Sequence, residues 1–347
     1  MIAISFVAMP EPTPAAPAPT GCLAASSAAA TGLPVPPVPP APPSAGETGR
    51  AVAWRVHGGL LVAQLCFGGF HVVGKAVLSQ MPPLALAACR VGLAAPLMAF
   101  LAWRHDRLLP ARRDLPVLAL LGALGVLGNQ LLFILGLQRT TAINAAILMP
   151  SMPVFTVLAA AALGVERIGP RRLAGVVLSV AGALVLANPV RLLAGGAGAA
   201  GAGGTAALGN ALILCNCVCY ALFLVIQRPV LQRLPWRTVI AWSFVLGGLP
   251  VLAISWPQLN ALRWSAVSPL GWMGVAYIVF FATVAAYSIS TWAVRRSSPA
   301  VVAAYSTLQP LVAAALAAAF LGERFGWAQA LGFALIAAGL WRVTAAS

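Results

Sequence analysis

Gln64, Gly68, His71 and Lys75 are spaced 4, 3 and 4 within one apolar run, and that spacing puts them on a single helix face. Lys75 is the only lysine of the chain. Arg90 lies seven residues beyond Pro83, roughly 10 Å into the next apolar run at 1.5 Å per residue. Two fixed cations at such depth could do one kind of chemistry: attract an anion and orient it. A carboxylate suits Arg well, since the guanidinium presents two parallel N–H groups to it. His71 adds the one side chain here whose ordinary titration falls near pH 6 to 7.

The acids decide what those cations can pair with. There are six: Glu11 and Glu47 near the N-terminus, Asp106 and Asp114 in a loop, Glu166 and Glu323 at run ends. None sits deep in an apolar run, and only Glu323 is positioned to reach Lys75. A buried cation without a partner is costly, so one solution is that a ligand brings the negative charge. The plainer alternatives are that Lys75 snorkels to lipid headgroups and that His71 is a packing residue. Gly68 would leave a groove in the stripe.

Further polar groups interrupt the apolar runs: Asn129 and Gln130 after Gly128, Asn144, Asn216 and Tyr220, and Tyr305, Thr307 and Gln309 ahead of Pro310. Taken singly, such groups often only hydrogen-bond neighbouring helices, for about 0.6 kcal/mol each. Their clustering predicts a shared cavity. His71, Lys75, Arg90, Asn129, Gln130, Tyr305 and Gln309 are the candidate substrate-binding residues. Pro153 and Pro310 free backbone carbonyls within helices and are the candidate gating hinges.

The elements that must position these groups follow from hydropathy. The chain is 61% hydrophobic and 8% charged, with mean hydropathy +0.93, against about 25% charged residues in an ordinary soluble domain. Apolar runs near twenty residues recur, each long enough to cross about 30 Å of hydrocarbon as a helix. They are solidly apolar, without the alternation of a barrel strand. The expected class is an all-α membrane protein with ten transmembrane helices, near 56–78, 83–103, 115–137, 141–163, 170–187, 209–227, 238–256, 269–291, 300–321 and 327–344. Residues 1–49, rich in Pro and Ala, read as a disordered cytoplasmic tail. Residues 194–207, rich in Gly and Ala, read as a linker between helices 1–5 (residues 50–193) and helices 6–10 (residues 208–347).

The two halves repeat. Residues 146–183 align without gaps on 303–340 at an offset of 157, matching Pro153 to Pro310 and Gly175 and Gly182 to Gly332 and Gly339. Lys75-Ala-Val-Leu aligns with Arg228-Pro-Val-Leu at an offset of 153. Five is an odd number, so the second half enters the membrane inverted, the architecture of secondary transporters. Placing both termini in the cytoplasm puts 15 basic residues on inner segments and leaves only Arg139, Arg191, Arg263 and Arg324 outside, as the positive-inside rule requires.

The net charge of +15 is thereby used up at helix ends, and no basic patch with interleaved aromatics is left for nucleic acid. His57, His71 and His105 form no zinc-protease motif, no carboxylate pair lies in the membrane, and no phosphate-cradling glycine loop appears. No enzyme activity, metal or cofactor is expected. Cys215, Cys217 and Cys219 alternate, which splits them between helix faces instead of gathering a zinc shell. Gly175, Ser179, Gly182, Gly332 and Gly339 are small residues suited to close helix packing.

The quoted groups lie in segments with a recognisable cast: GGFHVVGKAVL from Gly68, ALAACRVGLAAPL around Arg90, GNQLLFILGL from Gly128, PSMPVFTVLAAAALGVER from Pro150, and STLQPLVAAALAAAFLGER from Ser306. Together they resemble the EamA-type drug/metabolite transporter superfamily, in its plant nodulin-like, walls-are-thin-related branch. The resemblance implies ten helices in inverted repeats around a central cavity, alternating access, and small amphipathic metabolites as substrates, among them amino acids, auxin and other carboxylates. It implies a plasma or vacuolar membrane, and a homodimer is compatible with it. The alternatives are an exchanger of phosphate esters or nucleotide sugars, or a membrane scaffold that transports nothing.

Overall fold

A computed structural model describes residues 45–187 and 203–345, apart from 108, 141–144, 147, 166–168, 313–314 and 316–326. The described residues are helical and contain no strand. Six helices are long and apolar enough to cross a membrane: α1 (Ala45–Leu78, its apolar span Trp54–Leu78), α2 (Pro83–Asp106), α3 (Arg112–Arg139), α6 (Gly203–Arg233, span Ala207–Arg233), α7 (Trp236–Asn260) and α8 (Pro269–Arg296). The chain is therefore an integral membrane protein. Shorter helices α4 (Ser151–Ala162), α5 (Pro170–Ala187), α9 (Pro299–Ala304) and α10 (Trp327–Ala345) lie in the remaining four expected runs. Parts of those runs, with Asn144, Glu166 and Glu323, fall outside the described residues.

Three boundaries differ from the sequence reading. Helix α1 begins at Ala45, inside the expected tail, and α6 begins at Gly203, inside the expected linker. Residues 45–50 (Ala-Gly-Glu-Thr-Gly-Arg) and 203–206 (Gly-Gly-Thr-Ala) are too polar or too small to count as apolar span, so hydropathy places these helix starts late. Helix α4 begins at Ser151, set off from helical residues 145, 146 and 148 by a turn at Met149–Pro150, where Pro150 lacks the N–H that a helix running through it would use.

Both α3 and α8 contain one wide, π-type turn, Ala123–Gly128 and Phe280–Ala285, at the same 157-residue offset as the sequence repeat. Such turns add a residue to the helical register and re-aim the side chains beyond them. Helix α3 then packs on α7 at backbone contact. A methyl group on Gly122 would stand 2.6 Å from the Gly247 nitrogen, so neither position has room for a Cβ. Helices α5 and α10 meet in the same way, with a methyl on Gly175 standing 2.8 Å from the Gly339 carbonyl oxygen. This is the close packing their small residues foretell.

The bundle is tied at both ends. At one, Asp114 and Asp106 beside the α2–α3 connection pair with Arg233 (3.1 Å) and Arg237 (3.5 Å) at the α6–α7 turn, and Thr238 donates to Asp106 at 3.0 Å. At the other, the Gln80 side-chain oxygen accepts from the Ser268 backbone N–H and hydroxyl at 3.0 and 2.8 Å. Exposed Leu65, Phe100, Leu249 and Met273 face outward from the spans, which suits a lipid surround. Exposed Trp54, Trp103 and Trp256 sit near span ends, where indole rings favour the headgroup layer.

Candidate functional site

Arg90 is the centre of the site. It lies on α2 and is 2% exposed, yet no carboxylate among the described residues is within ion-pair distance, because Asp106 and Asp114 are engaged at the bundle end. The wide turn of α8 holds it instead. Arg90 Nε donates to the Thr283 hydroxyl at 2.6 Å and Nη2 reaches the Ala282 carbonyl at 3.5 Å. Thr283 in turn donates to the Ile278 carbonyl at 2.7 Å, five residues back. The guanidinium carbon rests 4.5 Å over the Phe70 ring and 5.9 Å from that of Tyr287. Cation–π contact stabilises the cation without neutralising it.

A cavity of about 50 Å³ adjoins Arg90, lined by residues from α1, α2, α3, α4, α6, α8 and the α9 segment. Of the candidates named from sequence, His71, Arg90, Asn129 and Gln309 share its wall. Tyr287 donates to the Asn129 side-chain oxygen at 2.5 Å, and Asn216 donates to the Asn129 backbone carbonyl at 2.6 Å. Gln309, just past the turn that follows α9, donates to the Gln64 side-chain oxygen at 2.8 Å. Aromatic edges surround Tyr287: its ring centroid lies 5.6 Å from that of Phe67, 5.7 Å from that of Tyr220 and 5.2 Å from that of Phe244.

Lys75, Gln130 and Tyr305 stand outside that wall. The Lys75 ammonium donates to three backbone carbonyls at the end of α3, Leu137 (2.8 Å), Gln138 (3.2 Å) and Thr140 (2.6 Å). The end of α3 carries the negative end of the helix dipole, and its carbonyls receive the lone ammonium. Gln130 is fully buried on α3, one residue around from Asn129. The Tyr305 hydroxyl is 2.8 Å from His57 Nδ1, with the two rings stacked at 5.9 Å. Gly68 opens no groove, because Val312 fills it: a methyl there would stand 2.7 Å from Val312.

The prolines sit where the helices depart from regularity. Pro153 supplies no N–H to the Met149 carbonyl, which accepts instead from the Met152 N–H at 2.9 Å and the Ser306 hydroxyl at 3.4 Å. Pro310 follows a tight 3-10 turn over Tyr305–Leu308, whose Ser306 carbonyl is taken by the Gln309 N–H. Both carbonyls are adjacent to cavity-lining residues, Met149 and Ser306 among them.

Sequence reasoning passed over α8. Thr283, Tyr287 and Ser290 are spaced 4 and 3, the signal that marks Gln64, Gly68 and His71 on α1. Tyr287 and Ser290 line the cavity and Thr283 holds Arg90.

A buried, partly polar cavity between the helices of a membrane protein is the kind of site a transporter needs, and comparison with known proteins assigns that class. The profile of the EamA-like transporter family matches residues 55–188 and again residues 207–345. The chain belongs to the EamA-like transporter family. It is 28% identical to Protein WALLS ARE THIN 1 of Arabidopsis thaliana over 321 residues, covering 83% of this chain and 82% of that protein. It is 30% identical over 268 residues to the uncharacterized transporter YdeK of Bacillus subtilis (strain 168), covering 77% and 89%. A protein of known crystal structure superposes with a TM-score of 0.64 at 17% identity, over 86% of this chain and 98% of the other, which speaks for the fold.

Proposed function

We propose that this protein is a secondary transporter or facilitator of small organic carboxylates, working by alternating access with Arg90 as the group that orients the anion. The observation that carries this reading is a fully buried guanidinium, on the wall of a cavity, with no carboxylate partner among the described residues. An anionic substrate would complete its coordination, and Asn129, Tyr287 and Gln309 would add neutral hydrogen bonds. Lys75, on α1, holds the end of α3 and supports the site without touching substrate. Ten crossing helices in two inverted repeats are favoured by the doubled family match and by the two wide turns at one offset. The distribution of arginines favours cytoplasmic termini, and similarity to the walls-are-thin-related proteins favours a plasma or vacuolar membrane.

Phosphate esters and nucleotide sugars fit less well. A phosphate dianion would meet a single arginine, Arg90, in this wall. A scaffold role leaves the cavity and its unneutralised cation without a purpose.

Counterflow in proteoliposomes tests the proposal, with labelled indole-3-acetate and a labelled amino-acid pool as probes, with and without a pH gradient. The expected result is uptake driven by trans-substrate that falls at least tenfold in Arg90→Ala. Absence of flux for both probes, with flux for a phosphate ester, would overturn it.

A further inference from the structure

His71 sits next to Phe70 on α1, 1% exposed, and its two ring nitrogens meet different surroundings. Nδ1 lies 3.0 Å from the Phe67 carbonyl oxygen and 3.3 Å from that of Gly68. Carbonyl oxygens only accept, so Nδ1 carries the hydrogen and the neutral ring is the Nδ1–H tautomer. Nε2 is then a bare lone pair. It is buried, has no hydrogen-bond partner among the described residues, and belongs to the ring that lines the cavity.

The ring is also held in plane. The Phe133 ring meets it edge-on at 5.4 Å and 83°, and Phe133 packs at 5.0 Å on Phe70, the ring over which Arg90 rests. One aromatic pair thus links an orphaned acceptor to an unneutralised donor in the same wall. An acceptor left unsatisfied in a buried place is expensive, and a substrate that supplies a hydrogen removes that cost.

We infer that His71 Nε2 reads a hydrogen-bond donor on the substrate. Resting on the carboxylate reading above, this narrows the substrate class to carboxylates that also carry an N–H or O–H group. Arg90 takes the anionic end and His71 the donor end.

Matched competitors test this on the purified full chain in proteoliposomes. Lactate is set against propionate, and indole-3-acetate against its 1-methyl derivative, each pair differing by one donor and sharing one charge. The donor-bearing member is expected to compete about tenfold better, with the ratio falling to near one in His71→Phe and partly retained in His71→Gln, whose side-chain oxygen accepts. Equal competition within both pairs in the wild type means that Nε2 is satisfied by water alone, and overturns the inference. So does a ratio unchanged in His71→Phe. Should that variant fail to reach the membrane, the wild-type ratio and His71→Gln decide. Propionamide competing as well as propionate would sink the carboxylate reading instead, while lactamide against propionamide would still read His71.

Discussion

Lys75 and Arg228 make the same contact in the two halves of the chain. Lys75 on α1 caps the last carbonyls of α3, and Arg228 on α6 donates to the Val294 carbonyl and, at 2.8 Å, to the Arg295 carbonyl at the end of α8. The two cations are related by 153 residues and their acceptors by 157, the offsets of the sequence repeat. In each half a cation on the first helix pins the C-terminal end of the third.

That contact makes Lys75 a stability residue. Removing a charged donor from these half-buried carbonyls costs about 1–2 kcal/mol. Lys75→Met should lower the melting temperature in detergent, and Lys75→Arg should keep most of it. Substrate selectivity, read by competition, should be the same in both.

Thr283 positions Arg90 through its hydroxyl, 2.6 Å from Nε. Thr283→Val keeps the shape and removes the acceptor, and hydrogen bonds to charged groups are worth about 1.5–3 kcal/mol. The concentration of carboxylate giving half-maximal uptake should rise about tenfold or more, with Thr283→Ser restoring it. An unchanged value would place the orientation of Arg90 elsewhere.

Glycine substitutions should separate by their surroundings. A Cβ at Gly247 would run into the Gly122 carbonyl, whereas one at Gly58 meets nothing within 4 Å. Gly247→Ala should destabilise by about 1–3 kcal/mol, the usual cost of overpacking. Gly58→Ala should be neutral or stabilise by about 0.5–1 kcal/mol. Thermal unfolding in one detergent compares them directly.

The ion pair between Asp114 and Arg233 is lopsided. The Arg233 side chain is 56% exposed but that of Asp114 is 5% exposed, so removing the arginine leaves a buried carboxylate without its cation, at a cost of about 1–3 kcal/mol. Arg233→Gln should lower the unfolding midpoint measurably, and Arg233→Lys should keep most of it.

Much of this protein is legible in its residues. Hydropathy marks six of the ten expected spans as long apolar helices among the described residues, since backbone in lipid must satisfy its own polar groups, within a helix where the run is solidly apolar. The offsets of 153 and 157 mark the repeat, and small residues at Gly175 and Gly339 mark where helices touch. His71, Arg90, Asn129 and Gln309 stand out because polar groups in apolar runs are rare. The partner of Lys75 did not stand out: it is a set of backbone carbonyls at the end of another helix, and no side chain advertises them. Tyr287 and Thr283 were legible too, since with Ser290 they share the 4-and-3 spacing of Gln64, Gly68 and His71, but only the wide turn of α8 shows that they face Arg90. The tertiary structure alone decided which polar groups share one cavity, because that depends on how seven chain segments converge, and local spacing carries no information about convergence.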